Sequence, residues 1–363
     1  MPHLYSDEQS QIREQARRAL SDLDSRNKLR ALLEKKGAHD TEFWAVARDM
    51  GWTAIGISEA HGGLGLGLIE LQIIAEECGR VVVAAPLLAS ATPAVHVLSE
   101  AGNPSGVLNE FAAGFLTAAF AVAEGTEVFP KSIATVIEDG CVTGFKPAVL
   151  SGAIADRAVL LARDSTGRER LVLVDLDQSG VHRSVLDTID NSRCVADLKF
   201  DHARAIELDV KDPGLVARQA LARLALFLAS ESVGGADSSI LLARDYANER
   251  QAFGQAIGKF QAVKHAIAEM WVLNELARAS VLDAAVRLSN DDSDAEAYVA
   301  AARLNAIQAY ETAAATAMQI HGGLGVAWET DLHLHYRRAR SLAVEGGVPA
   351  YWEDRLVETL VAP

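Results

Sequence analysis

Residues 250–270 read RQAFGQAIGKFQAVKHAIAEM and join two segments of helical periodicity through a short corner that contains glycine. Arg250 ends the first segment, an aromatic residue and two glycines follow, and Gln261 opens the second segment. Such a corner can present the arginine guanidinium to a diphosphate, while glycine allows a ligand to approach the backbone closely. On pattern alone, a plain helix–turn–helix corner that binds no ligand remains the alternative.

A second glycine-rich stretch, QIHGGLG at residues 319–325, follows a long alanine-rich segment. Paired glycines at this place usually end a helix by turning the backbone left-handed. They would also let a cofactor lie flat against the backbone, with Gln319 as a hydrogen-bonding group. The pentapeptide HGGLG also occurs at residues 61–65, but the flanking sequences differ, so we interpret the recurrence as coincidence and not as a repeat.

The rest of the chain is helical at both ends and β-rich in the middle. The residues Ser6-Asp7-Glu8-Gln9 predict a capped helix start, and helical periodicity dominates up to about residue 117. Between residues 116 and 208, short β-branched runs alternate with turn formers, which indicates an antiparallel sheet or barrel. Helical periodicity returns from Pro213 onward and is sustained.

Composition excludes several classes of protein. The 363 residues carry a formal net charge of −15, which disfavours binding to nucleic-acid phosphates. Three scattered cysteines indicate reduced thiols and not a disulfide framework or a zinc site. The charged N-terminus lacks a signal-peptide core, and prolines interrupt the uncharged run at residues 81–99. We therefore expect a cytoplasmic protein with no membrane span and no nucleic-acid partner.

The two glycine-containing motifs, in this order, resemble those of the acyl-CoA dehydrogenase family. The segment DMGWTAIGISEAHGGLGL at residues 49–66 is similar to that family's corresponding segment, and the resemblance extends over essentially the whole chain. It implies an α+β, mainly α fold with an N-terminal helical domain (1–115), a middle β-barrel domain (116–207) and a C-terminal four-helix bundle (208–363). The bundle would carry the motifs that contact the cofactor.

The resemblance implies a flavoprotein of lipid metabolism that oxidises an acyl-CoA thioester to the 2-enoyl-CoA. A carboxylate removes the α-proton, and hydride passes from the β-carbon to N5 of FAD. In this family an electron-transfer flavoprotein is a typical electron acceptor, and the assembly is a dimer of dimers. The chain would therefore be a homo-oligomer or part of a heterotetramer with a second acyl-CoA dehydrogenase chain.

The resemblance also assigns cofactor contacts. Arg250, Phe253 and Gln261 would contact the pyrophosphate and adenine side of FAD. A second set of residues would close over the cofactor from a neighbouring subunit: Gln319, His321, Gly322 and Gly323.

The catalytic base departs from the family pattern. Family members carry it as the glutamate of Tyr-Glu-Gly-Thr, whereas residues 340–347 here read RSLAVEGG. Without a gap, Gly346 falls on the base position, and a one-residue deletion would restore Glu345. Leu224 occupies the alternative family position for the base. Glu345 is therefore the candidate base, and a solvent-facing carboxylate at a helix end is the alternative.

The flavin-ring side also departs from the family pattern, because the middle region lacks the usual tryptophan. Thr126 and Ser151 could still offer hydroxyls, and Ser151 is the predicted contact. This asymmetry resembles one subunit of the heteromeric acyl-CoA dehydrogenases, in which paired chains share FAD sites and often act on bulky or ring-bearing acyl groups. The alternatives are a half-catalytic partner subunit, a flavin oxidase or monooxygenase of the same fold, and a helical scaffold that has lost its flavin.

A metal site could be suggested by Asp331, His333 and His335. Histidines two residues apart point away from each other on a helix, so packing or solvated histidines are the preferred interpretation. We expect no metal.

Overall fold

The computed structural model describes residues 5–23 and 25–361, which group into two compact units. The first unit is helical and comprises the described residues of Met1–Arg30 and of Ala225–Pro363, together with Leu68–Val83. The second unit contains the large β-sheet and comprises Ala31–Gly67 and Ala84–Leu224.

Helices precede and follow the strands, as the sequence predicts. The helices are α1 (Asp7–Ser21), α2 (Ser25–Leu32), α3 (Thr41–Asp49), α4 (Leu68–Arg80), α5 (Leu87–Glu100), α6 (Val107–Ala112), α7 (Pro213–Glu249), α8 (Gln261–Ser289), α9 (Ala295–His321), α10 (Leu332–Leu342) and α11 (Pro349–Val361). The strands are β1 (Ala118–Ala121), β2 (Val136–Glu138), β3 (Cys141–Val149), β4 (Arg157–Arg163), β5 (Glu169–Asp175), β6 (Val181–Val185), β7 (Ala196–Leu208), β8 (Gln251–Ala252) and β9 (Gln255–Ala256). This order confirms the α+β, mainly α class.

The predicted domain boundaries match the positions of helices and strands along the chain, but they differ from the boundaries of the two compact units. The seven strands of the large sheet lie between Ala118 and Leu208, close to the predicted middle segment 116–207. The second unit, however, also includes residues 84–115 and 208–224. The three-domain division therefore stays a prediction. Among the described residues, no helix combines the length and the apolar character that crossing a membrane requires.

The first unit begins with the predicted capping box of α1. Ser6 Oγ accepts a hydrogen bond from Gln9 N at 3.1 Å, and the Gln9 side chain accepts one from Ser6 N at 3.0 Å. Farther along α1, Arg17 donates to the buried carboxylate of Glu77 on α4 at 2.8 Å. A buried carboxylate needs such a partner, so this ion pair fixes α1 against α4.

The C-terminal helices pack around α9, which contacts α8, α10 and α11. Close approach depends on small residues of α7. A side chain at Gly235 would overlap the ring of Tyr310 on α9, and one at Gly234 would overlap the backbone of α4. The fully buried Arg338 of α10 donates to Glu231 of α7 at 2.9 Å. These contacts hold the C-terminal helices together as a bundle.

The large sheet of the second unit closes into a ring. On one edge β4 pairs in parallel with β1 and β2, and on its other edge it pairs antiparallel with β5. Antiparallel pairs then run from β5 to β7, from β7 to β3 and from β3 to β2, which returns to β4. This closure confirms the β-barrel. The sequence predicts an antiparallel sheet or barrel, whereas β1 and β2 both pair with β4 in parallel. These two strands run in the same direction as β4.

A buried ion pair lies on the barrel. Lys146 of β3 is fully buried and places Nζ 2.6 Å from Oε1 of Glu124, which also accepts a hydrogen bond from Thr135 at 2.6 Å. Burial lowers the pKa of Lys146 to about 8, although Glu124 opposes that shift. The pair fixes β3 to the segment that follows β1.

Candidate functional site

The corner after α7 is a tight β-hairpin. Gln251 pairs with Ala256 and Ala252 with Gln255, so Phe253 and Gly254 alone form the turn. Both turn residues have positive φ, 52° and 79°, as a two-residue hairpin of the type I′ class requires. This conformation is unfavourable for a side chain as large as phenylalanine. Such strain is characteristic of functional sites.

Phe253 is 95% exposed at the tip of this hairpin, and its ring makes an edge contact with Phe260 at 6.2 Å between centroids. An aromatic ring in this position offers a bare apolar surface to a ligand. Its exposure fits the predicted contact with an adenine, which is a flat ring of similar size.

The beginning of α8 supplies donors for an anion. Gln261 is exposed and is the first residue of the helix, and Lys264 N is the amide that closes the first turn, on the Phe260 carbonyl. The preceding amides therefore point out of the helix end, where a helix favours negative charge. No acidic residue lies in the first turn, and the exposed Arg250 lies at the other side of the hairpin. The corner can thus bind a diphosphate.

The diglycine at the end of α9 leaves its backbone open. Gly322 adopts φ 59° and ψ −133°, a conformation that is essentially restricted to glycine. A side chain built at Gly322 or Gly323 would meet no atom within 4 Å, so the backbone faces open space. Gln319 is exposed one turn earlier. A flat ligand can therefore approach the backbone here.

The two motifs meet within one chain. Tyr246 lies on the last turn of α7, and its ring stacks on the ring of His321 at 4.1 Å between centroids. The Tyr246 carbonyl also accepts a hydrogen bond from Arg250 N at 2.8 Å. One subunit thus presents both motifs beside each other, and the expectation that residues 319–323 close over the cofactor from a neighbouring subunit stays a prediction.

The His321 tautomer follows from its surroundings. Nδ1 lies 2.7 Å from the Ala317 carbonyl oxygen, which can only accept a hydrogen bond. Nδ1 therefore carries the hydrogen, and in the neutral ring Nε2 is left as an acceptor.

Glu345 lies in the turn between α10 and α11, and its side chain is half-buried. Its backbone carbonyl accepts a hydrogen bond at 2.8 Å from Arg303, a fully buried residue of α9. The neighbouring Gly346 has φ 63°. This half-buried position does not decide between a catalytic base and a solvent-facing carboxylate at a helix end, and the role of Glu345 as base stays a prediction.

Ser151 does not support its predicted role. Its side chain is fully buried, and its hydroxyl accepts a hydrogen bond from Ser90 of α5 at 2.9 Å. A hydroxyl without exposed surface cannot contact a flavin ring in this conformation. Ser151 also has a left-handed backbone conformation, φ 59°, and its role as a flavin contact stays a prediction.

The residues that could suggest a metal site are engaged elsewhere. Asp331 pairs with Arg26 at 3.0 Å and with Arg30 at 2.9 Å. His333 stacks on a tryptophan, and His335 is fully buried. Across residues 5–23 and 25–361, no group of three potential metal ligands occurs.

Sequence reasoning missed two residues of the site. Tyr246 precedes Arg250 by one helical turn, which is the signal that could have placed it on the same face of α7. Arg303 gave no comparable signal, because its contact with the Glu345 turn spans a long stretch of chain.

The chain is similar in sequence to known proteins over most of its length. The acyl-CoA dehydrogenase N-terminal domain matches residues 6–105, and the acyl-CoA dehydrogenase C-terminal domain matches residues 214–358. The acyl-CoA dehydrogenase IpdE2 of Mycobacterium tuberculosis is 29% identical over 316 residues, which cover 87% of this chain and 85% of that protein.

Solved structures share the whole fold. A variant of the Tcur3481-Tcur3483 steroid acyl-CoA dehydrogenase superposes with a TM-score of 0.89 at 24% identity and covers 98% of both chains. The ChsE4-ChsE5 complex from Mycobacterium tuberculosis gives a TM-score of 0.88 at 21% identity over 99% of this chain and 98% of that one. With both terminal domains matched and the fold shared end to end, the chain belongs to the acyl-CoA dehydrogenase family, whose enzymes are oxidoreductases acting on CH–CH groups.

Proposed function

We propose that this protein is an FAD-dependent acyl-CoA dehydrogenase that converts an acyl-CoA thioester into the 2-enoyl-CoA. The observation that carries the proposal is the stack of Tyr246 on His321, because it brings the arginine corner and the diglycine to one place. The proposed location is the cytoplasm, and the proposed electron acceptor is an electron-transfer flavoprotein.

The donor set fits FAD. A diphosphate needs cationic and amide donors, which Arg250 and the beginning of α8 offer. An adenine needs an apolar face, which Phe253 offers, and a flat cofactor needs a backbone without side chains, which Gly322 and Gly323 offer. Gln261 and Gln319, both exposed, add neutral hydrogen-bonding groups beside them.

These residues bind and orient, and Glu345 is the residue that we assign to the proton. When bound, FAD supplies the two-electron oxidant for turning a saturated carbon–carbon bond into a double bond. The Glu345 carboxylate accepts the α-proton of the thioester and must lie within hydrogen-bond reach of that carbon. Positioning of the thioester against FAD and the Glu345 carboxylate accounts for much of the rate, because a misplaced reactant loses its near-attack geometry.

A second candidate function is that of a partner subunit that completes FAD sites in trans. Gly346 at the ungapped base position and the buried Ser151 favour it, since neither offers the groups that a complete active site needs. The similar steroid acyl-CoA dehydrogenase carries two names, Tcur3481 and Tcur3483, which agrees with this interpretation. In that case the chain works in a heterotetramer, with the base on the other chain. The substrate would then be an acyl-CoA with a bulky or ring-bearing acyl group.

The cofactor assignment is tested by Arg250→Ala. A charge-assisted hydrogen bond to a phosphate contributes about 1.5–3 kcal/mol, so the variant should weaken FAD binding by about ten- to a hundredfold. Isothermal titration of the apoprotein with FAD measures the affinity. Arg244→Ala is the matched control, because Arg244 is exposed on the same helix and pairs with Asp245 at 2.7 Å. Equal FAD affinity in the two variants would reject the assignment.

The base assignment is tested by Glu345→Gln in the FAD-loaded protein. Loss of flavin bleaching by acyl-CoA with FAD retained is the expected result, and full activity would dismiss Glu345. Bleaching of the purified single chain would exclude the half-catalytic subunit. If a second chain co-purifies and flavin bleaching is lost when that chain is removed, the protein is a half-catalytic partner subunit. Peroxide release in air without another acceptor would indicate an oxidase instead, and a colourless protein that binds no FAD would indicate the scaffold.

A further inference from the structure

A buried arginine donates hydrogen bonds to the turn that carries Glu345. Residues 343–348 connect α10 to α11, and the last carbonyls of α10 lack partners within that helix, as in any helix end. Arg303 of α9 fills this need, since its Nη2 donates both to the carbonyl of Leu342 and to that of Glu345, the latter at 2.8 Å.

Arg303 is fully buried, which makes this contact unusual. Burying a guanidinium is costly unless hydrogen bonds compensate, and a cation at the carboxyl end of a helix is also favoured by the helix dipole. The side chain is therefore held at the end of α10, and it fixes the backbone of Glu345 and not merely the helix.

The other side of the turn is fixed by α11. Gly347 adopts φ 118°, and a side chain there would lie 2.8 Å from Nε1 of Trp352, a buried residue of α11. The turn is thus held between a buried arginine on α9 and a buried tryptophan on α11. These contacts restrict the backbone of the turn at Glu345.

We infer that Arg303 is a positioning residue for the Glu345 carboxylate. The inference rests on the proposed role of Glu345 as the base. Arg303 contacts the backbone of the turn and acts on the α-proton only through Glu345. The same helix ends at His321, directly before the diglycine at residues 322–323, so α9 places the proposed cofactor-binding backbone at its end and contacts the turn of Glu345 from its first third.

The substitutions Arg303→Lys and Arg303→Met test this inference in the FAD-loaded protein, together with any second chain that co-purifies with it. Lysine keeps the charge and can reach one carbonyl, whereas methionine leaves both carbonyls unpaired. A displacement of about 1 Å can cost about a hundredfold in rate. We therefore expect the methionine variant to lose about a hundredfold in kcat for flavin reduction with KM little changed, and lysine to restore part of the loss.

The matched control is Arg340→Met. Arg340 also links α10 to α9, through Glu311, but its side chain is exposed and does not contact the turn. Butyryl-, octanoyl- and palmitoyl-CoA serve as substrates, and hydrogen exchange of the peptide covering residues 342–348 is the second readout. The Arg303 variants should exchange faster there and the control should not. FAD content should stay at the wild-type value in all three.

The outcomes separate the inference from the function on which it rests. If Glu345→Gln keeps full activity, the base assignment fails whatever Arg303 does. If Glu345→Gln is inactive while both Arg303 variants keep wild-type kcat and exchange, the positioning role is wrong. An equal fall of kcat and rise of KM in the Arg303 variants would mean general loss of structure and also overturn it. Should an Arg303 variant fail to fold, Gly347→Ala displaces the turn from the α11 side and should give the same loss of kcat.

Discussion

His335 should make the protein sensitive to mild acid. The imidazole is fully buried in α10, and its Nδ1 lies 3.0 Å from the hydroxyl of Tyr310. Burial, together with the nearby charges of Arg26 and Arg338, lowers the pKa of His335 from 6.5 to about 3. In the unfolded chain the ring takes up a proton below about pH 6.5, whereas in the folded chain it resists protonation down to about pH 3.

The sign and size of the effect follow from this difference. Between the two pKa values the unfolded state binds more protons, so stability falls as the pH is lowered. Taking 6.5 for the unfolded and about 3 for the folded pKa, the loss between pH 7 and pH 5 is about 2 kcal/mol from this residue alone. His335→Phe keeps a ring of similar size and removes the titration.

Urea unfolding at pH 7 and at pH 5, with fixed protein and FAD concentrations, measures the effect. The stability of His335→Phe relative to the wild type should rise by about 2 kcal/mol on going to pH 5. His202→Asn, at an exposed position of β7, is the control for the loss of a histidine. If the wild type and His335→Phe lose stability in parallel, the buried imidazole is not the source of the acid sensitivity.

Three further substitutions probe the bundle and the site. Gly234→Ala places a methyl group against the α4 backbone and should cost about 1–3 kcal/mol of unfolding free energy, measured with urea. Glu231→Ala removes the carboxylate that holds the buried Arg338 and should cost about 3–5 kcal/mol by the same assay. His321→Ala removes the ring that stacks on Tyr246 and should weaken FAD binding by up to about tenfold, since an aromatic pair contributes about 0.5–1.5 kcal/mol. His321→Phe should retain the wild-type FAD affinity.

Each of these expectations has a contrary result. An unchanged urea midpoint for Gly234→Ala would show that α4 and α7 can separate at no cost. A Glu231→Ala protein of wild-type stability would mean that Arg338 is satisfied by its second acceptor, the Val83 carbonyl at 2.9 Å. Equal FAD affinity of the alanine and phenylalanine variants of His321 would show that the stack does not organise the site.

Local patterns in the sequence predicted that the arginine corner and the diglycine lie at helix ends. They did not predict how close the two motifs lie to each other. The glycines of the corner and of the diglycine mark helix ends, because they turn the backbone where a helix stops. The stack of Tyr246 on His321 depends on how α7 packs beside α9, which neither periodicity nor turn chemistry specifies. The family resemblance named both motifs but did not predict the contact between Tyr246 and His321.

The burial of Ser151 was not predictable from the sequence for the same reason. Sequence shows that a hydroxyl is available, whereas its direction depends on a left-handed backbone and on Ser90 of α5, distant in the chain. The parallel pairing of β1 and β2 with β4 is likewise a matter of topology, since short β-branched runs look alike in either direction. Long-range packing decides both.

The bare ring of Phe253 has a practical consequence for handling the protein. The ring is 95% exposed at the hairpin tip, and FAD bound at this corner as proposed would cover it. If FAD covers the ring, protein without FAD exposes this apolar surface, and production in cells starved of riboflavin should yield more precipitate than production in flavin-rich medium.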